Sequence, residues 1–300
     1  MENTKYDVIL LTESRYENPL NPDWYEQQIL NEDGVLIAAL EAEGLRVKRL
    51  NWATPDFDWT SCRLAVFRTT WDYFNRIQEF IPWLDKVGTM TQLVNSYELV
   101  RWNIDKHYLI DLHNKGIHIV TTELVEHGGS QDLSVFFEAW HCEDLIIKPC
   151  IGGTARHTYR VDKQNIAELQ LLFDQLVTSE AMLIQPFQKN ILLQGELSIL
   201  LFGGKYSHAV HKIAKSGDFR VQDDFGGTAF AYDATESEIA FAENAVLACP
   251  TMPAYARIDV IYDNDGRLAI SELEAVEPEL FFRFRPEAGA LLVKEIIKCL

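Results

Sequence analysis

The segment Tyr255-Ala-Arg-Ile-Asp-Val-Ile-Tyr-Asp-Asn-Asp-Gly-Arg-Leu-Ala-Ile-Ser-Glu-Leu-Glu274 limits the fold of this chain more than any other. Two apolar-rich runs flank Asp263-Asn264-Asp265-Gly266, residues that tolerate the positive φ of a tight turn, so the spacing predicts an antiparallel hairpin. Side chains alternate faces along a strand, so Arg257 and Asp259 share one face, as do Glu272 and Glu274, while Ile258, Val260 and Leu273 point the other way, toward a core. A two- or four-residue loop centred between Asn264 and Asp265 pairs Arg257 with Glu272 and Asp259 with Ile270, and all four charged groups converge. A three-residue loop shifts the register by one and separates them. Three acids beside one arginine repel unless a cation intervenes. Carboxylates without His or Cys select a hard ion such as Mg²⁺, with Mn²⁺ as a substitute. Taken alone, the hairpin is equally compatible with a solvated, charge-mixed sheet face.

Before it, residues 6–11 read as a buried strand, 33–44 as a helix closed by Gly44, and 45–50 and 64–67 as further strands, the opening of an α/β layer. No G-x-G-x-x-G follows the first strand, so the dinucleotide fingerprint is missing. A helix carrying Lys106 is expected over 98–116, strands at 117–121 and 145–148, and a helix near 132–140. The stretch 158–161 reads as a strand paired back onto 145–148, followed by a helix at 166–177 and a strand at 182–185. A hairpin over 196–202 and 205–214 turns at Gly203-Gly204, and helices follow at 236–249 and 288–300.

With 300 residues, 47% of them hydrophobic, the chain can bury one large domain or two to three small ones. A net charge of −18 argues against a nucleic-acid partner, which needs cations to displace phosphate counterions. Five scattered cysteines without a C-x-x-C fit neither a disulfide framework nor a structural zinc site and suit a reducing compartment. No secretory leader and no membrane-length apolar run are evident, so the expectation is a cytoplasmic protein away from membranes.

A second motif, Leu145-Ile-Ile-Lys-Pro-Cys-Ile-Gly-Gly-Thr154, puts Lys148 at the end of a buried strand just before a Gly-rich loop. Glycines let backbone N–H groups approach phosphate oxygens, and a lysine adds a point charge. It is not a Walker A motif, since no G-K-[ST] opens a helix.

Together, in this order, the two motifs resemble the ATP-grasp superfamily, which includes glutathione synthetase and D-alanine–D-alanine ligase; the resemblance covers roughly residues 100–290. It implies an α/β (α+β) fold: an N-terminal open α/β domain over 1–100, a central lid subdomain over 101–185, and a C-terminal subdomain with the metal site over 186–300. It also implies that ATP is bound by Lys106, Lys148 and the loop Gly152-Gly153-Thr154, with an adenine hinge at Gln185-Pro186-Phe187 whose backbone reads the base. Glu196 would bond the ribose. Lys212, or alternatively Lys215, and Arg220 would reach toward the phosphates, and Arg257 would stabilise the reacting phosphoryl group. Asp259, Glu272 and Glu274 would be the metal ligands. Two positions depart from the family pattern: Glu274 stands where Asn is common, and Gln185 where Glu is usual.

Within the superfamily, Arg68-Thr-Thr-Trp-Asp-Tyr73, Asn103-Ile-Asp-Lys106 and Ser207-His-Ala-Val-His-Lys212 look most like the subgroup containing the cycloserine-forming cyclo-ligase. That likeness implies phosphorylation of a carboxylate by ATP, then displacement of phosphate by nitrogen; a ligase acting on other amino acids or a peptide, or a nucleotide-binding module without catalysis, stands as the alternative. The expected partners are a small amino-acid-like substrate and a second copy of the chain in a homodimer. Arg68, Trp71, Asp72 and Arg283 are the candidates to hold that substrate, Arg68 by a bidentate grip on its carboxylate. For Arg68 a structural pairing with Asp stands as the equal alternative. His208 and His211, three apart on a strand, point to opposite faces and do not share an ion.

Overall fold

The computed structural model describes residues 4–221 and 225–300. Residues 1–3, in the expected first domain, and 222–224, in the expected last one, lie outside the described residues.

A four-stranded parallel sheet comes first: β1 (Tyr6–Thr12), β2 (Val47–Asn51), β3 (Cys62–Thr69) and β4 (Gln92–Val94), in the order β2-β1-β3-β4. β1 and β3 are apolar along nearly their whole length because helices Trp24–Ala42 and Ile77–Val87 accompany a sheet buried on both faces. The first of these helices begins well before residue 33, the expected start. Asp23 and Glu26 form a reciprocal capping box there, and this polar first turn hides the helical period.

The second sheet is antiparallel: β5 (Glu123–Val125), β6 (Asp144–Pro149), β7 (Tyr159–Asp162) and β8 (Met182–Pro186), in the order β5-β8-β6-β7. Helices Ser134–Ala139 and Ile166–Val177 cover it through Phe136, Phe137, Phe173 and Leu176.

The third sheet holds β9 (Glu196–Phe202), β10 (Lys205–Ile213), β11 (Thr228–Tyr232), β12 (Tyr255–Tyr262) and β13 (Leu268–Glu274), in the order β11-β10-β9-β12-β13. Leu197, Ile199, Leu201, Ile258, Val260 and Leu273 pack with Tyr108 and Ala242 in one core, each fully buried aliphatic contributing about 1.5–3 kcal/mol. Leu200, Phe202, Val210 and Tyr255 instead join Val8, Leu10 and Leu36 of the first layer. Among the described residues, no helix is long and apolar enough to cross a membrane.

Three local expectations are corrected. The single helix over 98–116 is two, Tyr97–Asn103 and Tyr108–Asn114, because the Lys106 N–H bonds the Cys150 carbonyl (2.9 Å) instead of continuing the helix. The stretch 117–121 is no strand and makes only the bridge Ile119–Ile270. The hairpin register also differs. Tyr262 pairs with Leu268 and Val260 with Ile270, but Asp259 pairs with Glu272 and Arg257 with Glu274. The loop is one residue longer than the four-residue case, which alone would separate the charges. Ser271 is an extra residue that bulges out of β13 and restores the alternation. The four charged groups therefore share a face, through pairings other than those expected.

Candidate active site

The hairpin's charged face forms one wall of a cavity of about 270 Å³ between the second and third sheets, closed on one side by the first layer. Arg257 donates to Asp259 Oδ1 (3.0 Å) and Oδ2 (2.9 Å) and to Glu274. Asp259 also accepts from Ser198 Oγ (2.5 Å). Asp259, Glu272 and Glu274 each offer an oxygen, and these lie within 4.8 Å of one another. Burial opposes ionisation of Asp259, but Arg257 and Lys212 outweigh it and hold its carboxyl at about 2. Burial, with Glu272 and Asp259 as neighbours, drives Glu274 well above the carboxylate range despite Arg257. Three close carboxylates, one of them reluctant to ionise, are a donor set that suits a hard divalent cation.

Asp105, His107 and Cys150 also cluster. There both ring nitrogens of His107 already face carboxylates, Asp105 at 2.5 Å and Glu126 at 3.0 Å, and burial pushes the Cys150 thiol up. That grouping is an occupied ion-pair network.

Three lysines enter the cavity. Lys106 donates to the Gly152 carbonyl (2.6 Å) and pairs with Glu272 (3.1 Å). Lys212 sits between Glu196 (2.5 Å) and Asp259 (3.3 Å), so the two residues expected at phosphate and ribose hold one another. Lys148, at the end of β6, has no carboxylate within 4.0 Å among the described residues. Burial pushes its ammonium pKa down, and Glu272 only partly restores it. A buried cation of this kind is stabilised by an anionic ligand.

Beyond Lys148 the loop bends through positive φ at Thr154 (48°) and Ala155 (54°). Arg156 anchors its far side to Glu180 through two bonds of 2.8 Å. The amides of Gly152, Gly153 and Thr154 meet no acceptor among the described residues, leaving N–H groups for a ligand. At Gly153 a Cβ would come within 2.9 Å of the Phe74 ring, so glycine is needed for the loop to lie against the first layer.

At the hinge, Gln185, Pro186, Phe187 and Gln188 line the cavity. Gln185 Nε2 donates to Thr122 Oγ1 (2.8 Å). The Phe187 N–H is engaged by the Asp144 carbonyl (2.9 Å) and its carbonyl by Asn264 Nδ2 (2.9 Å). Phe187 thus presents its ring, stacked under Arg160 at 4.1 Å and edge-on to Phe219, in place of the backbone contacts expected of it. Arg220 lines the cavity with its guanidinium against Asp218 (2.7 Å) and over Phe225.

The substrate candidates separate. Trp71 lines the cavity, and its Nε1 donates to the Glu277 carbonyl (2.9 Å). Arg283 lies in an adjoining small cleft with Glu279 and Tyr25. Arg68 is corrected to the structural alternative: 1% exposed, it bonds Glu32 (2.5 Å), Asp33 (3.3 Å) and the Pro278 carbonyl (3.2 Å). Asp72 likewise turns away, accepting from Trp52 Nε1 (2.6 Å) and Arg76 (2.8 Å). His208 and His211 have separate partners: one bonds the Leu280 carbonyl, the other that of Gln194. Tyr25, Phe74 and Asn103 also line the cavity and were not anticipated. Tyr25 sits in the helix turn whose period was hidden. Asn103 entered only as part of the Lys106 motif, with no role of its own; its amide bonds the backbone of Leu273 in β13 and of Ala275 just after it.

With this geometry in view, two families match in tandem. Residues 8–95 match the N-terminal domain of D-cycloserine synthetase DcsG, and residues 112–264 match the ATP-grasp domain of prokaryotic glutathione synthetase. The chain belongs to the ATP-grasp family and is an ATP-dependent ligase of the class that forms carbon–nitrogen bonds. More particularly, it is related to DcsG. It is 29% identical to the cycloserine biosynthesis protein DcsG of Streptomyces lavendulae over 276 residues, covering 85% of this chain and 89% of that protein. The crystal structure of D-cycloserine synthetase DcsG superposes with a TM-score of 0.85 at 25% identity, covering 97% of this chain and 98% of the other. D-alanine–D-alanine ligase from Bacillus anthracis shares the fold, with a TM-score of 0.67 at 15% identity over 98% and 97% of the two chains. The ATP-grasp ligase PsnB, solved with its minimal precursor, Mg and ADP, shares it at a TM-score of 0.63 and 12% identity over 97% of each chain.

Proposed function

We propose that this ligase activates the carboxylate of a small amino-acid-like substrate as an acyl phosphate and closes or joins it to an amine, in the manner of a cycloserine-forming cyclo-ligase acting on O-ureido-serine. The observation that carries this reading is the convergence of Asp259, Glu272 and Glu274 with Lys148 and loop amides that, among the described residues, have no carboxylate or acceptor, all on one cavity. A substrate carboxylate oxygen attacks the γ-phosphorus of ATP, the bridging P–O bond breaks, and ADP leaves. A nitrogen then attacks the acyl carbon and loses a proton as phosphate departs; in O-ureido-serine this is the oxygen-bound ureido nitrogen, and cycloserine forms once water cleaves the remaining N–carbamoyl bond and the carbamoyl group leaves as carbamic acid. Lys148 and the amides of Gly152–Thr154 hold phosphate oxygens, Phe187 packs against the base, and Arg257 faces the transferring group. Asp259, Glu272 and Glu274 would hold Mg²⁺, which neutralises phosphate charge when bound. No protein nucleophile is required. The kinship with DcsG supports the choice of substrate.

The test is ADP release with Mg–ATP and O-ureido-D-serine, in the wild type and in Glu272→Gln. Release by the wild type, with loss in the variant of roughly 10³-fold, is expected. Turnover of the variant at the wild-type rate would remove the metal assignment, and wild-type silence with that substrate would remove the substrate assignment.

A further inference from the structure

The cavity has a second acidic feature that the phosphoryl chemistry leaves unused. Glu277 lines it just beyond β13, outside the trio whose oxygens cluster. Its backbone is fixed by the Trp71 indole (2.9 Å). Its carboxylate interacts with the Tyr73 hydroxyl and, among the described residues, has no ion-pair partner within 4.0 Å. The neighbouring Lys106 is already held by Glu272 and the Gly152 carbonyl. Burial raises the Glu277 carboxyl to about 7, as expected of an acid lacking a counter-ion. Beside it, Trp71 and Tyr25 stack with ring centres 6.2 Å apart, and both line the cavity. An acid backed by a phenol, next to electron-rich aromatic faces, suits a cation. A ligand offering only a carboxylate would be repelled by Glu277. A zwitterion would direct its carboxylate to the Arg257 side and its positive group to this corner.

We propose that Glu277, backed by Tyr73 and flanked by the Trp71–Tyr25 stack, binds the protonated amino group of the substrate and makes the enzyme selective for ammonium-bearing carboxylic acids. The inference rests on the ligase reading above and adds the group that is recognised and the residues that recognise it.

The experiment compares matched pairs in the full-length enzyme with Mg–ATP: O-ureido-D-serine and its deamino counterpart, D-alanine and propionate, L-alanine and propionate. ADP release gives kcat and KM, and Mg–AMPPNP binding is measured on the same samples. The wild type should prefer the ammonium-bearing member by about 100-fold in kcat/KM, the size expected of one charge-assisted hydrogen bond. In Glu277→Gln the preference should fall below roughly tenfold, mainly through KM, and Tyr73→Phe should lose part of it. Glu277→Asp should retain a preference, and AMPPNP binding should persist in all variants. A wild type indifferent to the amino group, or a Glu277→Gln enzyme that keeps the wild-type preference, overturns the subsite and leaves the ligase reading standing. A wild type that binds Mg–AMPPNP but releases no ADP with any pair overturns the proposed amino-acid-like substrate, and the subsite with it.

Discussion

Two buried arginines in this molecule each lie between two acids, and they do different things. Arg68 is held by Glu32 and Asp33, and Arg257 by Asp259 and Glu274. Around Arg68 everything is matched. Asp33 has a second arginine, Arg49 (2.6 Å), and Glu32 accepts the amides of Leu280 (2.8 Å) and Phe282 (3.4 Å). That knot ties the crossover helix of the first layer to the segment after β13. Around Arg257 a third acid, Glu272, crowds the same face, and the group opens onto the cavity. Residue types alone do not tell a closed ion pair from one that opens onto a cavity. Completeness of pairing and access do.

The comparison makes the two knots fail in different ways. Arg257→Met should cost the most in activity, roughly 10²–10³-fold in kcat, with a modest change in Tm, as read by ADP release and thermal melting. Arg68→Met should do the reverse. Removing one partner of a buried network leaves uncompensated acids, so a stability loss of about 3–5 kcal/mol is expected from chemical denaturation. If Arg68→Met folds normally yet fails to turn over, the structural assignment is wrong.

Acid should loosen the Arg68 side further. His208 bonds the Leu280 carbonyl (2.9 Å), in the segment Glu32 anchors, and burial depresses the ring's pKa to about 4. Unfolded, it titrates near about 6.5. The unfolded chain therefore takes up the proton first as pH falls. This contribution to stability is complete above about 6.5 and is lost on the way down to about 4, amounting to about 3 kcal/mol. His208→Gln should flatten that part of the pH–stability curve. An unchanged slope would show that the acid sensitivity lies elsewhere.

The smallest effect is expected at the loop. Gly153→Ala places a methyl against the Phe74 ring and should raise KM for ATP about fivefold, for a strain of about 1 kcal/mol. Phe74→Leu in the same chain should restore part of it.

How much of this was legible depended on how local the cause was. The carboxylates of β12 and β13, Lys148 and the Gly-rich loop were readable because strand alternation and glycine chemistry act over a few residues. The bulge at Ser271 was not, since it depends on a loop length that several turns could satisfy. Arg68 remained undecided because its partners Glu32 and Asp33 lie on another element, and the carbonyl it bonds belongs to Pro278. The break before Tyr108 has a cause distant in sequence, the carbonyl of Cys150. Long-range satisfaction of backbone groups leaves little trace in local periodicity.

The Asn264 side chain gives the hairpin turn a second office. It accepts from the Lys189 N–H (2.8 Å) and donates to the Phe187 carbonyl (2.9 Å), while its own N–H bonds Gln188 Oε1 (3.0 Å). The turn that sets where the carboxylates fall is thus also stitched to the hinge. Adding or deleting one residue there would misplace both ends of the cavity together. Turn length is therefore a shared gauge for the whole cleft, and drift in it cannot be repaired at either end alone.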